Sequence, residues 1–166
     1  DKVFEINTNH SNKSYFPNKH LTKFLKASSS KEDIKDAEVI FVALPSSAIV
    51  EFLVEINSNL RSDVLIVNLS KGLLSEGVNI VDKIKQLLNT ENVVTLKGPS
   101  FAIEVMEHAD TLLTLGYTTE AQYKLINNII KNTSLHIDCT NDINGVEVLS
   151  VLKNIYALVI GVIDAK

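Results

Sequence analysis

Between residues 37 and 140 the chain alternates short continuous apolar runs with longer stretches whose apolar positions recur three and four apart. The first pattern predicts buried strands, and the second puts apolar side chains on one face of a helix. Residues 37–44, ended by Pro45, predict a fully buried strand. Residues 46–60 carry Ile49, Phe52, Leu53 and Ile56, a helical spacing behind a serine cap. Residues 64–69 predict a second buried strand, followed by Ser70-Lys71-Gly72. An amphipathic helix over 79–88 and a strand over 93–96 come next, the strand running into Gly98-Pro99-Ser100. A short helix from Phe101, a strand over 111–115, a helix over 120–131 and a strand over 135–139 complete the series. Such alternation means an α/β fold with a mostly parallel sheet. Ahead of it, Val3-Phe4-Glu5-Ile6 also reads as a strand.

The last predicted helix, from 142 to about 163, differs in kind. It is long and apolar almost all round, as expected of a helix buried between two bodies of protein. Lys153 sits in its middle and is expected to be buried. Three readings of that lysine stay open. Its stem can snorkel to the surface. It can pair with Glu147, although six residues apart is a poor helical spacing. Or desolvation and a neighbouring cation lower its pKa, making a neutral amine fit to act as a general base.

Composition narrows the class. The chain has 166 residues, 45% hydrophobic and 22% charged, which is enough for one domain with a proper core. A net charge of -4 without a basic run argues against a nucleic-acid surface. Arg61 is the lone arginine, so bidentate oxyanion clamps are nearly lacking. The single Cys139 rules out an intrachain disulfide and reads as a buried small hydrophobe. The apolar run around Lys153 reads as too short and too charged for a membrane span, and no signal-like segment opens the sequence. A cytoplasmic location is the expectation.

Ligands of open α/β sheets bind where strands end and helices begin. Lys71, directly after a strand, is either a solvated strand-end lysine or a ligand contact. Gly98, Pro99 and Ser100 form a turn opening a helix. Ser100 either caps that helix or presents its hydroxyl to a ligand, and the turn's backbone N–H groups are free to hold an anion. His10, His20, His108 and His136 stand apart without metal-ligand spacing and read as structural or exposed. Ser100 lies in G-P-S-F-A, not in a nucleophile elbow. The six glycines nowhere form G-x-G-x-x-G, and both ends of the sequence read as cut, so a fragment is expected.

Taken in order, INTNHSNKSYFPN, VALPSSAI, NLSKGL, GPSFAIEV and NGVEVLSVLKNIYAL resemble NAD(P)-dependent glycerol-3-phosphate dehydrogenases of the bacterial type over the whole chain. The resemblance implies a Rossmann-like, mostly parallel sheet lacking its first strand and Gly-rich loop, followed by the first long helix of an all-α domain. Residues 1–140 are then a partial dinucleotide-binding domain and 141–166 an interdomain helix. It further implies a phosphate-bearing substrate, NAD or NADP as cofactor, a homodimer and a role in phospholipid synthesis. Lys153 matches the family's proton acceptor. Lys71 matches the second active-site lysine, touching substrate and cofactor. Gly98 and Ser100 match substrate contacts, and Ala102 a cofactor contact. Leu149 and Ser150 depart from the small pair usual ahead of the catalytic lysine, and Ile103 stands where an acid is usual.

Two alternatives remain beside that reading. One is a related hydroxy-acid dehydrogenase, which generally has an asparagine one helical turn after its lysine. Here Asn154 is adjacent and Ala157 lies four on. The other is a non-catalytic remnant that binds a phosphate ligand or a partner.

Overall fold

The structure, a computed structural model, describes residues 1–74 and 77–164, without the side chain of Asn154. The chain opens with helix α1 (Lys2–Asn9), where the sequence pattern predicts a strand. The Asp1 carboxylate accepts from the Val3 N–H, Glu5 lies in the first turn, and His10 closes the helix in the left-handed conformation. These capping contacts fix the helix, and its short apolar set is compatible with either period. Asn7 then holds Ala27 through both its amide groups, at 2.8 Å each.

Strands β1 (Val39–Val42), β2 (Leu65–Asn68) and β3 (Val93–Lys97) are parallel neighbours, joined through helices α2 (Ser46–Ile56) and α3 (Ile80–Leu88). After the short helix α4 (Ala102–Met106) the chain returns as β4 (Thr111–Gly116), antiparallel to β3. Helix α5 (Glu120–Ile130) carries it to β5 (Leu135–Thr140), parallel to β4. The order in space is β1-β2-β3-β4-β5. Right-handed crossovers that keep stepping in one direction put α2 and α3 on the same face. Reversal of the strands at β4 sends α5 to the other.

The two faces carry separate cores. Ile66 and Val93 join Ile49, Leu53, Ile80 and Ile84 beneath α2 and α3. Val67, Val94, Leu96 and Leu115 join Ile126 of α5. Burying each such side chain contributes about 1.5–3 kcal/mol. The final helix, α6 (Ile143–Asp164), lies against β3 and β4.

Several details depart from the pattern-based expectations. β1 is an edge strand, so Phe41 is exposed and the expected full burial fails there. Ser46 is the first helical residue of α2, not its cap; Pro45 holds the cap position without a side-chain bond. Cys139 is exposed, because β5 is the opposite edge. Helix α6 is long and apolar enough to cross a membrane by length and composition alone, contrary to the expectation from the sequence. Its first turns nevertheless bury Val146 and Glu147.

Candidate functional site

The carboxyl ends of β2 and β3 converge with α6. At the end of β2, the Ser70 hydroxyl accepts from the Leu44 N–H at 3.1 Å and donates to the Val42 carbonyl at 3.2 Å. The Ser70 N–H donates to Asn68 Oδ1 at 3.0 Å. These bonds tie the ends of β1 and β2 together and fix the start of the turn that carries Lys71. Gly72 continues that turn at φ 114°, a conformation open to glycine at no steric cost.

At the end of β3, Gly98 lies hard against β4. A Cβ there would stand 2.7 Å from the Leu112 carbonyl oxygen and from a Leu113 methyl. Only a residue without a side chain admits this approach of the two backbones.

Lys71, Gly98, Pro99, Ser150 and Lys153 line one hollow, with Lys97, Thr114, Val146 and Leu149 completing its wall. Lys71, Gly98 and Ser100 also border an apolar hollow beside it. Of the sequence-predicted residues, Lys71, Gly98 and Lys153 thus share one hollow, while Ser100 borders the neighbouring one. Ser100 does not cap α4, since Phe101 holds that position. Ala102 begins α4 and is exposed, outside the lining of both hollows. Asn154, which separates the two dehydrogenase readings in the sequence, has a side chain outside the described residues.

The expectation that Lys153 is buried is overturned: it is exposed, as is Lys71. Glu147 does not pair with it either. The buried lysine is Lys97, 6% accessible, whose ammonium lies 3.1 Å from Glu147 Oε1 and donates to the Ser70 carbonyl. Glu147, 1% accessible, also accepts from the Asn68 side-chain amide at 3.0 Å and from the Thr95 hydroxyl. Its Oε2 is buried without a protein hydrogen bond.

Strand parity explains the cluster. Asn68 follows Ile66 by two, while Thr95 and Lys97 follow Val93, so all point to the face where α6 lies. Burial pushes the Lys97 pKa down, the Glu147 carboxylate pulls it part of the way back, and Lys71 nearby pushes it down again. The net direction is down. Sequence reasoning missed Lys97 and Glu147 as a pair. The available signal was a lysine closing a buried strand and a carboxylate on an apolar helix, each needing a partner.

Among the described residues no cluster of histidine, cysteine and carboxylates has metal-binding geometry. Chemically, the site is a small cationic hollow at strand ends, suited to an oxyanion or a polarised carbonyl.

A family model described as "NAD-dependent glycerol-3-phosphate dehydrogenase N-terminus" matches residues 1–123. A curated glycerol-3-phosphate dehydrogenase [NAD(P)+] of Leptospira biflexa is 35% identical over 169 residues, covering 99% of this chain and 51% of that protein. Its counterpart in Neorickettsia sennetsu is 30% identical over 162 residues, covering 97% of this chain and 48% of that one. The chain therefore spans about half the length of these curated relatives. The solved glycerol-3-phosphate dehydrogenase of Plasmodium falciparum superposes with a TM-score of 0.85 at 23% identity, covering 92% of this chain and 44% of that one, a likeness of fold. With most of its length matched, this chain belongs to the family of NAD-dependent glycerol-3-phosphate dehydrogenases, within the family's N-terminal part.

Proposed function

We propose that the polypeptide to which these residues belong interconverts sn-glycerol 3-phosphate and dihydroxyacetone phosphate, with NAD or NADP as hydride partner. The observation that carries this reading is the convergence of Lys71, Gly98 and Lys153 on one hollow at the strand ends. They come from three separate segments, and each stands in a motif that resembles one of the family's active-site motifs.

The residues present fit part of the cofactor. Gly98 packs the end of β3 closely against β4, and Lys71 stands at the carboxyl end of parallel strand β2, where dinucleotides lie in open sheets. They form a seat for the nicotinamide end, with Ala102 at the margin. No G-x-G-x-x-G is present in these 166 residues for the pyrophosphate. When bound, the nicotinamide takes up the hydride from the secondary alcohol carbon, or returns it to the carbonyl.

The chain's own groups handle the proton. Lys153 takes it from the substrate hydroxyl, and in the reverse direction gives it to the forming alkoxide. Lys71 stabilises negative charge on the same oxygen. Ser100 and the Gly98 backbone orient the substrate beside them. An exposed Lys153 keeps its hydration shell, so the desolvation this role needs comes from what closes over α6. On this reading residues 1–140 are the partial cofactor domain, and 141–166 begin a helical substrate domain that supplies the cover. A cytoplasmic homodimer feeding phospholipid synthesis is the corresponding whole.

The test is reduction of dihydroxyacetone phosphate by the natural full-length polypeptide, followed through NADH or NADPH consumption. Lys153→Ala is expected to lower turnover by about 10²–10⁴-fold. Full activity in that variant would remove the proton-transfer role, and an inactive unmodified protein would remove the whole reading.

A further inference from the structure

We infer that Lys97 is a positioning residue of this site, and that Glu147 is its fixed counter-charge. The inference rests on the reaction proposed above. Neither residue is among those that family resemblance assigns to the chemistry.

The geometry is that of a junction. One ammonium group joins two bodies that must be in register for the site to exist. On one side it donates to the Ser70 carbonyl, directly ahead of Lys71. On the other it meets Glu147 at 3.1 Å, on the helix that presents Lys153. Lys97 also lines the hollow that both exposed lysines border. A single side chain therefore couples the placement of Lys71 to that of Lys153.

The counter-charge is itself immobilised. Asn68 and Thr95 both donate to Glu147 Oε1, the oxygen nearest Lys97. The carboxylate cannot swing away without breaking those bonds inside a buried space. Surface pairs in the same chain, such as Lys124 with Glu120 at 3.8 Å, have no such constraint. A buried pair of this kind costs desolvation that an apolar pair of the same volume would avoid. Stability alone does not account for its being there, whereas a fixed registry between two lysines does.

The decisive comparison is between the natural full-length protein and its Lys97→Met/Glu147→Gln form. That double replacement removes both charges together, so no unpaired ion is left in the interior. Its melting temperature is expected to stay close to the parent's. Its kcat for dihydroxyacetone phosphate reduction is expected to fall by about 10²-fold, with KM little changed, the usual cost of a misplacement on the order of 1 Å. An unchanged kcat in a stable double variant would reduce the pair to a structural contact and overturn the inference.

A second readout needs no turnover. In protein carrying isotope-labelled lysines, the side-chain NMR signals of Lys71 and Lys153 are expected to move in the double variant, while those of Lys124 stay in place. If Lys71 and Lys153 keep their signals, the inference fails even where the protein is active. If those signals move but the unmodified protein does not reduce dihydroxyacetone phosphate, the coupling stands and the proposed reaction falls.

Discussion

Glu147 is the residue on which the docking of α6 depends. It accepts from Asn68 of β2 and from Thr95 and Lys97 of β3 while sitting on the helix itself. Replacing it by alanine leaves the Lys97 ammonium buried and uncompensated, at a cost of about 3–5 kcal/mol. Urea unfolding of Glu147→Ala beside the Lys97→Met/Glu147→Gln pair checks this, since the pair is expected to recover most of the loss. The pair also carries a pH signature. The Lys97 pKa lies below the ordinary 10.5. Between the lowered value and the unfolded one, the unfolded chain binds more protons than the folded chain, so stability rises with pH across that window. Below the lowered pKa the burial penalty is present in full. The unmodified chain is therefore expected to gain stability relative to the double variant as pH climbs toward 10.5. A gap that stays constant or widens the other way would contradict the burial of this amine. Lys71, Gly98, Ser100 and Lys153 were legible in the sequence because each stands in a motif. Lys97 was not, because its burial depends on α6 crossing β3, and no local pattern encodes that crossing.

At the scale of the element, strands were the easiest to read. β2 and β3 are buried along their whole length, and the apolar runs that open them, Leu65-Ile66-Val67 and Val93-Val94, mark them as strands. Edges were harder. β1 and β5 look like central strands in sequence, yet Phe41 and Cys139 face outward because only one neighbour pairs with each strand. α1 was misread because its apolar residues are too few to fix a period, and its decisive contact is a cap made by Asp1. Caps matter elsewhere too. Thr119 and Gln122 form a reciprocal capping box at the start of α5, and the Gln122 amide also donates to Asn92 Oδ1 at 3.2 Å. Gln122 is 5% accessible, so truncating it opens a gap and removes hydrogen bonds to Thr118, Thr119 and Asn92 on both sides. Gln122→Ala is expected to cost about 1–3 kcal/mol, more than Thr119→Ala at about 1 kcal/mol. Chemical denaturation of the two variants orders them. Equal losses would mean that Gln122 acts only as a cap.

For the molecule as a whole, the unusual surface is the second half of α6. Ile155, Tyr156, Leu158, Val159, Ile160, Val162 and Ile163 are all more than half exposed. A run of this kind exceeds the scattered apolar residues normal on a monomer and marks a surface that seeks a partner. The same helix holds the sheet firmly at its other end, where Val146 and Glu147 are buried. Anchoring and exposure are thus properties of one rigid rod, and the apolar half cannot retreat into the core without tearing the Glu147 contacts. The physical consequence is self-association of these 166 residues when they are produced alone. Light scattering or sedimentation is expected to give a weight-average mass that rises with concentration. Leu158 and Val162 lie one helical turn apart on the exposed side, so Leu158→Lys with Val162→Lys places two charges on the patch without touching the anchored end. That variant is expected to remain monomeric over the same concentrations with little change in its unfolding midpoint. Association that persists undiminished in the doubly charged chain would place the sticky surface elsewhere, and the apolar hollow lined by Phe41, Leu96 and Leu135 would be the next one to charge.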